Sequence, residues 1–251
     1  MSYSWNPWHG CKACSPGCRH CFIRKSDERK GRDSSKILLL EKQYDRPIAR
    51  YKNGSYVIPS GAVVYVCFES DFFLPEADLW REKVWAMIRE RQDLRFVIPT
   101  KRVCRIKDCL PADWKDGYDN VSIAISVENQ ALADQRLREL TVLPLKHRMI
   151  FAAPLLEELD LRAYLKTGQF SMVSISGESD PHAGVTHLSW IESLFAQCKE
   201  NRVRFHLHLC GSFLEEAGTV RFIPYKEQGA KAREIEQNLR HPSSGRQLSL
   251  F

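Results

Sequence analysis

The sequence predicts an α/β fold, built either as a partial (β/α)6 barrel or as an open doubly wound sheet. Six short runs rich in β-branched and other apolar residues recur after residue 60: Gly61–Phe68, Leu94–Pro99, Val121–Val127, His147–Ala152, Met172–Ile175 and Val203–Leu209. Runs that are apolar on both faces suit the strands of a parallel sheet that is covered on both sides. Strand followed by helix, repeated about six times, is typical of both architectures.

The stretches between these runs show helical periodicity. One helix face collects Trp80, Val84 and Ile88, and a second collects Leu188, Ile191, Phe195 and Cys198. Residues 131–140 give a weaker third helix, and the charged residues 24–35 are predicted as an exposed helix start or loop. We therefore expect one large domain at residues 1–225, followed at 226–251 by a polar helix and a flexible tail.

The amino-acid composition is that of a folded domain and not of a membrane protein. Of 251 residues, 43% are hydrophobic and 27% are charged, which is the balance of a folded domain with a solvated surface. No apolar run is long enough to span a bilayer, and the start lacks the pattern of a signal peptide, so we expect a cytoplasmic protein without a membrane partner. The formal charge of +6 mildly favours a polyanionic partner such as nucleic acid.

Polar and small residues follow each predicted strand. They are Glu69–Asp71, Thr100–Arg102, Ser126–Asn129, Pro154, Ser176–Asp180 and Cys210–Ser212. Each group alone is explained by loops and helix caps. Together they indicate the rim of a polar site, because parallel strands end at one edge of the sheet.

Four of the nine cysteines fall within eleven residues, at Cys11, Cys14, Cys18 and Cys21. We call residues 9–23 the cluster loop. Clustered cysteines in a cytosolic protein more often hold a metal than form disulfides. The last three have the spacing C-x3-C-x2-C, which suits three corners of a [4Fe-4S] cluster.

That spacing, with His20 before the last cysteine, resembles the signature of radical S-adenosylmethionine (SAM) enzymes. The resemblance implies that the fourth iron binds SAM, whose reductive cleavage gives a 5′-deoxyadenosyl radical. Cys11 leaves an alternative, since all four thiolates would close around zinc or around an electron-transfer cluster. Zinc ribbons usually separate their cysteine pairs by a dozen or more residues, which favours iron and sulfur here.

Longer motifs resemble a phage-associated family of three-cysteine-motif proteins of unknown function, which are thought to be radical-SAM-like. The resemblance covers roughly residues 4–213 and rests on WNPWHGC…SPGCRHCF, Ser70–Phe73, Thr100–Arg102, Ser126–Gln130, Ala153–Leu156, Gly177–Ser179 and Gly211. It implies the triad Cys11, Cys18 and Cys21, so the third cluster ligand is either Cys11 or Cys14. It also implies an accessory partner protein named after the motif. The chain departs from the family at Ala153, at Ser176 and at His208–Cys210, where the family has an acidic residue, a glycine and Lys-Gln-Trp.

The last five residues, Gln-Leu-Ser-Leu-Phe, resemble the peptide with which bacterial replication and repair proteins bind the β sliding clamp. Gln247, Leu248, Leu250 and Phe251 would enter a hydrophobic cleft on the clamp from a short flexible tether. The alternative is a hydrophobic tail that folds onto its own domain. Clamp binding would place the protein on DNA in the nucleoid.

These observations predict a radical-SAM-like [4Fe-4S] enzyme that modifies bases or repairs lesions in DNA. The candidate residues are Asp71, Lys101 and Cys210 for substrate and catalysis, and Glu128, Ser176, Gly177 and Glu178 for SAM. One alternative is a metal-binding accessory protein for nucleic acid that has no catalytic activity. Another is a radical SAM enzyme that modifies RNA.

Overall fold

A computed structural model describes residues 1–241. Its strands are β1 (Ser2–Trp5), β2 (Trp8–His9), β3 (Leu38–Leu39), β4 (Val63–Val66), β5 (Arg95–Thr100), β6 (Val121–Ser126), β7 (His147–Ala152), β8 (Phe170–Ser176), β9 (Val185–His187), β10 (Arg204–Leu209), β11 (Phe213–Glu216) and β12 (Thr219–Phe222). Its α-helices are α1 (Phe22–Arg29), α2 (Glu41–Tyr44), α3 (Asp78–Glu90), α4 (Val103–Ile106), α5 (Gln130–Thr141), α6 (Arg162–Leu165), α7 (Leu188–Glu200) and α8 (Tyr225–Arg240).

Seven strands form one parallel sheet that curls into a half-barrel, in the order β1-β4-β5-β6-β7-β8-β10. The six predicted strands are confirmed, and each pairs with its neighbour in parallel register. The seventh strand, β1, was not predicted, because Ser-Tyr-Ser-Trp offers few of the β-branched residues that mark the other strands. All seven strands therefore end at the same edge of the sheet, and the cluster loop follows β1 and β2 there.

The outer face of the sheet packs against the helices. Alternate strand residues such as Phe96, Ile123 and Ile150 join α3, α5 and α7 in the main core. The three predicted central helices are confirmed, and their buried positions recur at helical spacing, as Val84 and Ile88 do in α3. Burial of this apolar face supplies the main driving force for folding.

The inner, concave face carries a second and smaller apolar cluster. Val97, Ala124, Met149, Phe151 and Met172 are each at most 8% exposed. They come from the strand positions between those that face the helices, so the prediction that both faces are apolar is confirmed. The curvature lets these side chains cover one another.

A separate three-stranded sheet has the order β12-β11-β9, and its strand β9 comes before β10 in the chain whereas β11 and β12 come after it. It was not predicted, because all four residues of β12 are exposed and give no apolar run. The predicted polar helix is confirmed as α8, which packs on β10 with Ala232 and Ile235 buried. None of the helices within residues 1–241 has both the length and the apolar character needed to cross a bilayer.

Candidate functional site

The cluster loop is fixed at its start by close backbone contacts. Gly10 has a φ of +93°, and a Cβ there would lie only 2.2 Å from the carbonyl oxygen of Lys36. The backbone N–H of Cys11 donates to the carbonyl of Ser34 at 2.8 Å. A 3-10 turn at Pro16–Cys18 then leads through Cys21 into α1. Glycine is thus required where the loop first crosses the strand ends.

Three of the four cysteines interact near two cations. The Cys14 thiol donates to Cys18, and this hydrogen bond is the main reason that the pKa of Cys18 falls to about 3. The Lys101 ammonium, 3.7 Å from the Cys18 sulfur, lowers that pKa further. The same hydrogen bond raises the pKa of Cys14, and burial raises that of Cys11 to about 11. Arg102 Nη1 lies 3.8 Å from the Cys11 sulfur.

A buried charge network lies directly beneath the cluster loop. The fully buried carboxylate of Glu128 accepts from Ser15 Oγ at 2.5 Å, and it pairs with Lys101 Nζ at 2.5 Å. Its second oxygen accepts from Arg136 at 2.8 Å. Both oxygens of Glu128 are therefore engaged, so its contacts hold the loop to β5, β6 and α5.

Asp71 lies in the loop after β4 and organises the turn after β5. Its carboxylate accepts from the hydroxyl of Thr100 at 2.9 Å, from the backbone N–H of Lys101 at 3.1 Å and from Arg102 at 2.9 Å. Asp71 is only 3% exposed. Its contacts position the two cations that face the cysteines.

The far side of the cluster loop is attached to the segment after β8. His20 Nδ1 lies 3.2 Å from Glu178 Oε2, and that oxygen also accepts from the backbone N–H of Gly184 at 3.0 Å. Lys25 in α1 forms an ion pair with Asp180, which is 2% exposed. The loop therefore spans from the end of β5 to the segment after β8.

A pocket of about 540 Å³ opens between the cluster loop and these strand ends. Its lining includes Cys18, His20, Leu156 and Glu178, with the exposed side chains of Arg19, Arg24 and His182 at its mouth. The volume lies within the range of small-molecule sites in proteins. One thiol of the predicted metal motif therefore faces a cavity large enough for a cofactor or substrate.

Other candidate residues lie beside this pocket without lining it. Ser176 ends β8 and Gly177 follows it, where a Cβ on Gly177 would lie 2.7 Å from the Cα of Gly211. Cys210 is fully buried, its thiol donates to the carbonyl of Gly211 at 3.6 Å, and burial raises its pKa to about 11. The structure therefore brings Glu178 and Lys101 to the cluster loop and keeps Cys210 apart from it.

The side chains around the cluster loop include the sulfur, nitrogen and oxygen donors that metals take. Within residues 1–241, no group of three or more His, Cys, Asp or Glu side chains is arranged to hold a single metal ion. In a [4Fe-4S] cluster each thiolate binds a different corner iron, so the cysteine sulfurs need not surround a single metal ion. Thiols are ligands of both iron–sulfur clusters and zinc, so the donor set of the cluster loop suits either group by its chemistry.

Sequence reasoning missed several residues of this site. Arg136 lies in the middle of α5, and only its spacing of eight residues from Glu128 hinted at a partner. Ser15 and Gly17 lie in a Ser-Pro-Gly run that is typical of a turn, and this run gives no sign of their contacts with Glu128. His9 Nε2 lies 2.7 Å from the carboxylate of Asp27, which is 1% exposed, and nothing in the sequence indicated this pair.

Of three comparisons with known proteins, one gives a match. No curated protein and no solved structure matches it. One protein family, described as Protein of unknown function (DUF5131), matches residues 1–248, nearly the whole chain. The match includes the cluster loop and every strand of the half-barrel. The chain therefore belongs to this family of unknown function.

Proposed function

We propose that the protein is a radical-SAM-like iron–sulfur enzyme that modifies or repairs DNA. The observation that carries this proposal is the pocket of about 540 Å³, which lies at the carboxyl ends of parallel strands and is lined by Cys18. Ligands of curled parallel sheets bind at that edge. A cysteine motif and a cofactor-sized cavity therefore lie together at the carboxyl-terminal edge of the sheet, where enzymes with such folds have their active sites.

Cys18, Cys21 and either Cys11 or Cys14 would hold the cluster, which when bound would supply the electron that cleaves SAM. Lys101 and Arg102 lie 3.7 and 3.8 Å from two of the cysteine sulfurs. These cations offset negative charge on the thiolates, which would otherwise repel one another. Asp71 and Glu128 hold the two cations in place.

The pocket supplies groups that suit a cofactor with an amino group. The carboxylate of Glu178 faces it and keeps acceptor capacity beyond its contacts with His20 and Gly184. We therefore assign Glu178 to SAM binding, with Ser176 and Gly177 shaping the adjacent backbone. Glu128 is assigned to anchoring the loop, because Ser15, Lys101 and Arg136 already engage both of its oxygens.

DNA is proposed as the substrate from the net charge of +6 and from the resemblance of the last five residues to a clamp-binding peptide. Those residues, Gln247, Leu248, Leu250 and Phe251, lie outside the described part of the chain. A docking peptide of this kind would bring the pocket to newly made or damaged DNA. An accessory partner protein, implied by the three-cysteine-motif resemblance, would bind elsewhere on the domain.

Anaerobic reconstitution tests the proposal. The full chain is purified without oxygen, supplied with iron and sulfide, and then given SAM and dithionite. We expect about four iron atoms per chain and release of 5′-deoxyadenosine. Cys18→Ala should abolish both, whereas Cys104→Ala, which removes an exposed thiol outside the loop, should change neither.

Single alanine variants of Cys11, Cys14, Cys18 and Cys21 separate the alternatives. Loss of iron at three positions but not the fourth identifies the open-cornered cluster. The enzyme proposal is refuted if all four variants lose iron equally and the unaltered protein, with its cluster intact, leaves SAM uncleaved. That outcome favours the accessory protein. If the protein acts on RNA, and removal of the tail leaves that activity unchanged, the substrate is RNA and the DNA assignment is wrong.

A further inference from the structure

We propose that Arg19 and Arg24, at the mouth of the pocket, bind phosphate groups of a nucleic-acid strand and so hold one nucleotide of that strand in the pocket. This inference rests on the proposed function and specifies how the substrate is bound. It concerns two side chains that take no part in holding the cluster loop together.

The first argument is the difference between these two arginines and the other cations around the strand ends. Each of the others is paired with a carboxylate: Lys25 with Asp180, Lys101 with Glu128, Arg102 with Asp71, and Arg136 with Glu128. Within residues 1–241, the guanidinium groups of Arg19 and Arg24 form no hydrogen bond or ion pair. Both are exposed and line the same pocket, so two guanidinium forks remain available to an external anion.

The second argument is the position of Arg24. It lies in the first turn of α1, which contains no acidic residue. The positive end of the helix dipole disfavours a cation there, so Arg24 is poorly placed for helix stability. A phosphate at this point would be attracted both by the guanidinium and by the end of the helix.

The third argument is the distribution of charge along the depth of the pocket. Glu178, which is 9% exposed, lies at the inner end, whereas Arg19, Arg24 and His182 are exposed at the mouth. A strand bound here would place its phosphates at the positively charged mouth, which leaves Glu178 to the SAM molecule assigned to it above. Enzymes that act on a base take it out of the stack into such a pocket and hold the strand by its backbone.

SAM itself is a poor partner for the two arginines. It carries a single carboxylate and no phosphate. The two guanidinium groups at the mouth therefore indicate an anionic ligand other than SAM. The phosphates of a polymer meet this requirement, and they agree with the positive charge of the chain.

Fluorescence anisotropy tests the inference on the full chain, without SAM or reductant, with a labelled single-stranded deoxyoligonucleotide as the probe. Arg19→Gln and Arg24→Gln should each weaken binding about fivefold at 0.1 M salt and reduce the slope of log K against log salt by about 0.7. Arg24→Lys, which keeps the charge, should restore the slope. The matched control is Arg29→Gln, which removes the same charge from the same helix outside the pocket and should bind like the unaltered protein.

Equal weakening by Arg29→Gln, or no effect of the two pocket variants, would overturn the inference. Deoxythymidine monophosphate distinguishes the source of the phosphate. If this nucleotide binds as tightly as the oligonucleotide and with the same dependence on Arg19 and Arg24, the site serves free nucleotides and the polymer assignment is wrong. Because the assay needs no SAM cleavage, a chain that makes no 5′-deoxyadenosine but shows the arginine dependence refutes only the proposed function.

Discussion

Gly17 lies directly on the carboxylate side chain of Glu128. A Cβ at Gly17 would be 2.7 Å from Cγ of Glu128 and 2.8 Å from Cδ of Pro154, closer than unstrained atoms approach. Gly17 is thus needed for close approach between the cluster loop and the ends of β6 and β7. The loop and the buried charge network beneath it form one packed unit.

Gly17→Ala should push the cluster loop away from the strand ends. We expect reconstituted protein to bind less than half the iron of the unaltered chain and to have a lower thermal midpoint, because the added methyl meets a buried, paired side chain. Iron analysis and thermal unfolding measure both effects. Gly229→Ala in α8 is the control, since its Cβ would meet nothing closer than 3.6 Å and alanine favours a helix. Normal iron content in Gly17→Ala would show that the close packing is not required.

Arg136→Met should destabilise the fold by about 3 kcal/mol, because it leaves a fully buried carboxylate at Glu128 with one cation instead of two. Urea unfolding at neutral pH measures the loss. The double variant Glu128→Gln with Arg136→Met should cost less than the sum of the single changes, since the two groups interact directly. Additive losses would contradict the coupling, and Arg138→Met on the exposed side of α5 is the control.

Asp93→Asn should show a stability difference that depends on pH. Hydrogen bonds from the buried Arg91 hold the pKa of Asp93 below its usual range. A carboxyl whose folded pKa is depressed stabilises the fold above its unfolded pKa of about 3.9, and this contribution is lost as the pH falls toward the folded pKa. The difference in thermal midpoint between Asp93→Asn and the unaltered chain should therefore be largest near pH 7 and shrink below pH 4.

The exposed Asp116→Asn serves as the control for that measurement. Its side chain is 77% exposed and lies 3.6 Å from Lys146, a geometry that contributes little to stability. Its midpoint should stay close to that of the unaltered chain at each pH. A difference at Asp93 that persists unchanged at low pH would show that the lost contacts are not ionic.

Removal of the last five residues should abolish binding to the β sliding clamp without changing the thermal midpoint. The two leucines and the phenylalanine would supply nearly all of the apolar contact, so the pair Leu248→Ala and Phe251→Ala should act like the truncation. Surface plasmon resonance with immobilised clamp measures binding. Undiminished binding by the truncated chain would show that the peptide is not the docking element.

The sequence predicted much of the architecture, because the parallel strands are apolar on both faces and the helices are periodic. It missed β1, in which serine alternates with aromatic residues, and β12, in which every residue is exposed. Both strands are recognised only through their partners, Ser2–Trp5 along β4 and Thr219–Phe222 along β11. The four-residue alternation in β1 and the four exposed residues of β12 are local signals too short to be recognised without the partner strands.

The sequence predicted individual residues of the site but not the contacts between them. Polar residues at strand ends indicated Asp71, Lys101, Glu128 and Glu178, all of which contact the cluster loop or the residues that hold it. Their roles follow from contacts between distant parts of the chain. Glu128 is engaged by Ser15, 113 positions earlier, and no local signal reports such a contact.

The long sequence distances between these contacting residues also determine the order in which parts of the protein can fold. Ser15 meets Glu128, and His20 meets Glu178 across 158 positions, so the cluster loop lacks part of its support until β8 has joined the sheet. Contacts that are so remote along the chain form late and slowly. We therefore expect the nascent polypeptide to leave the ribosome with unprotected thiols. Under the proposed function, iron delivery would then be a post-translational step that competes with oxidation of those thiols.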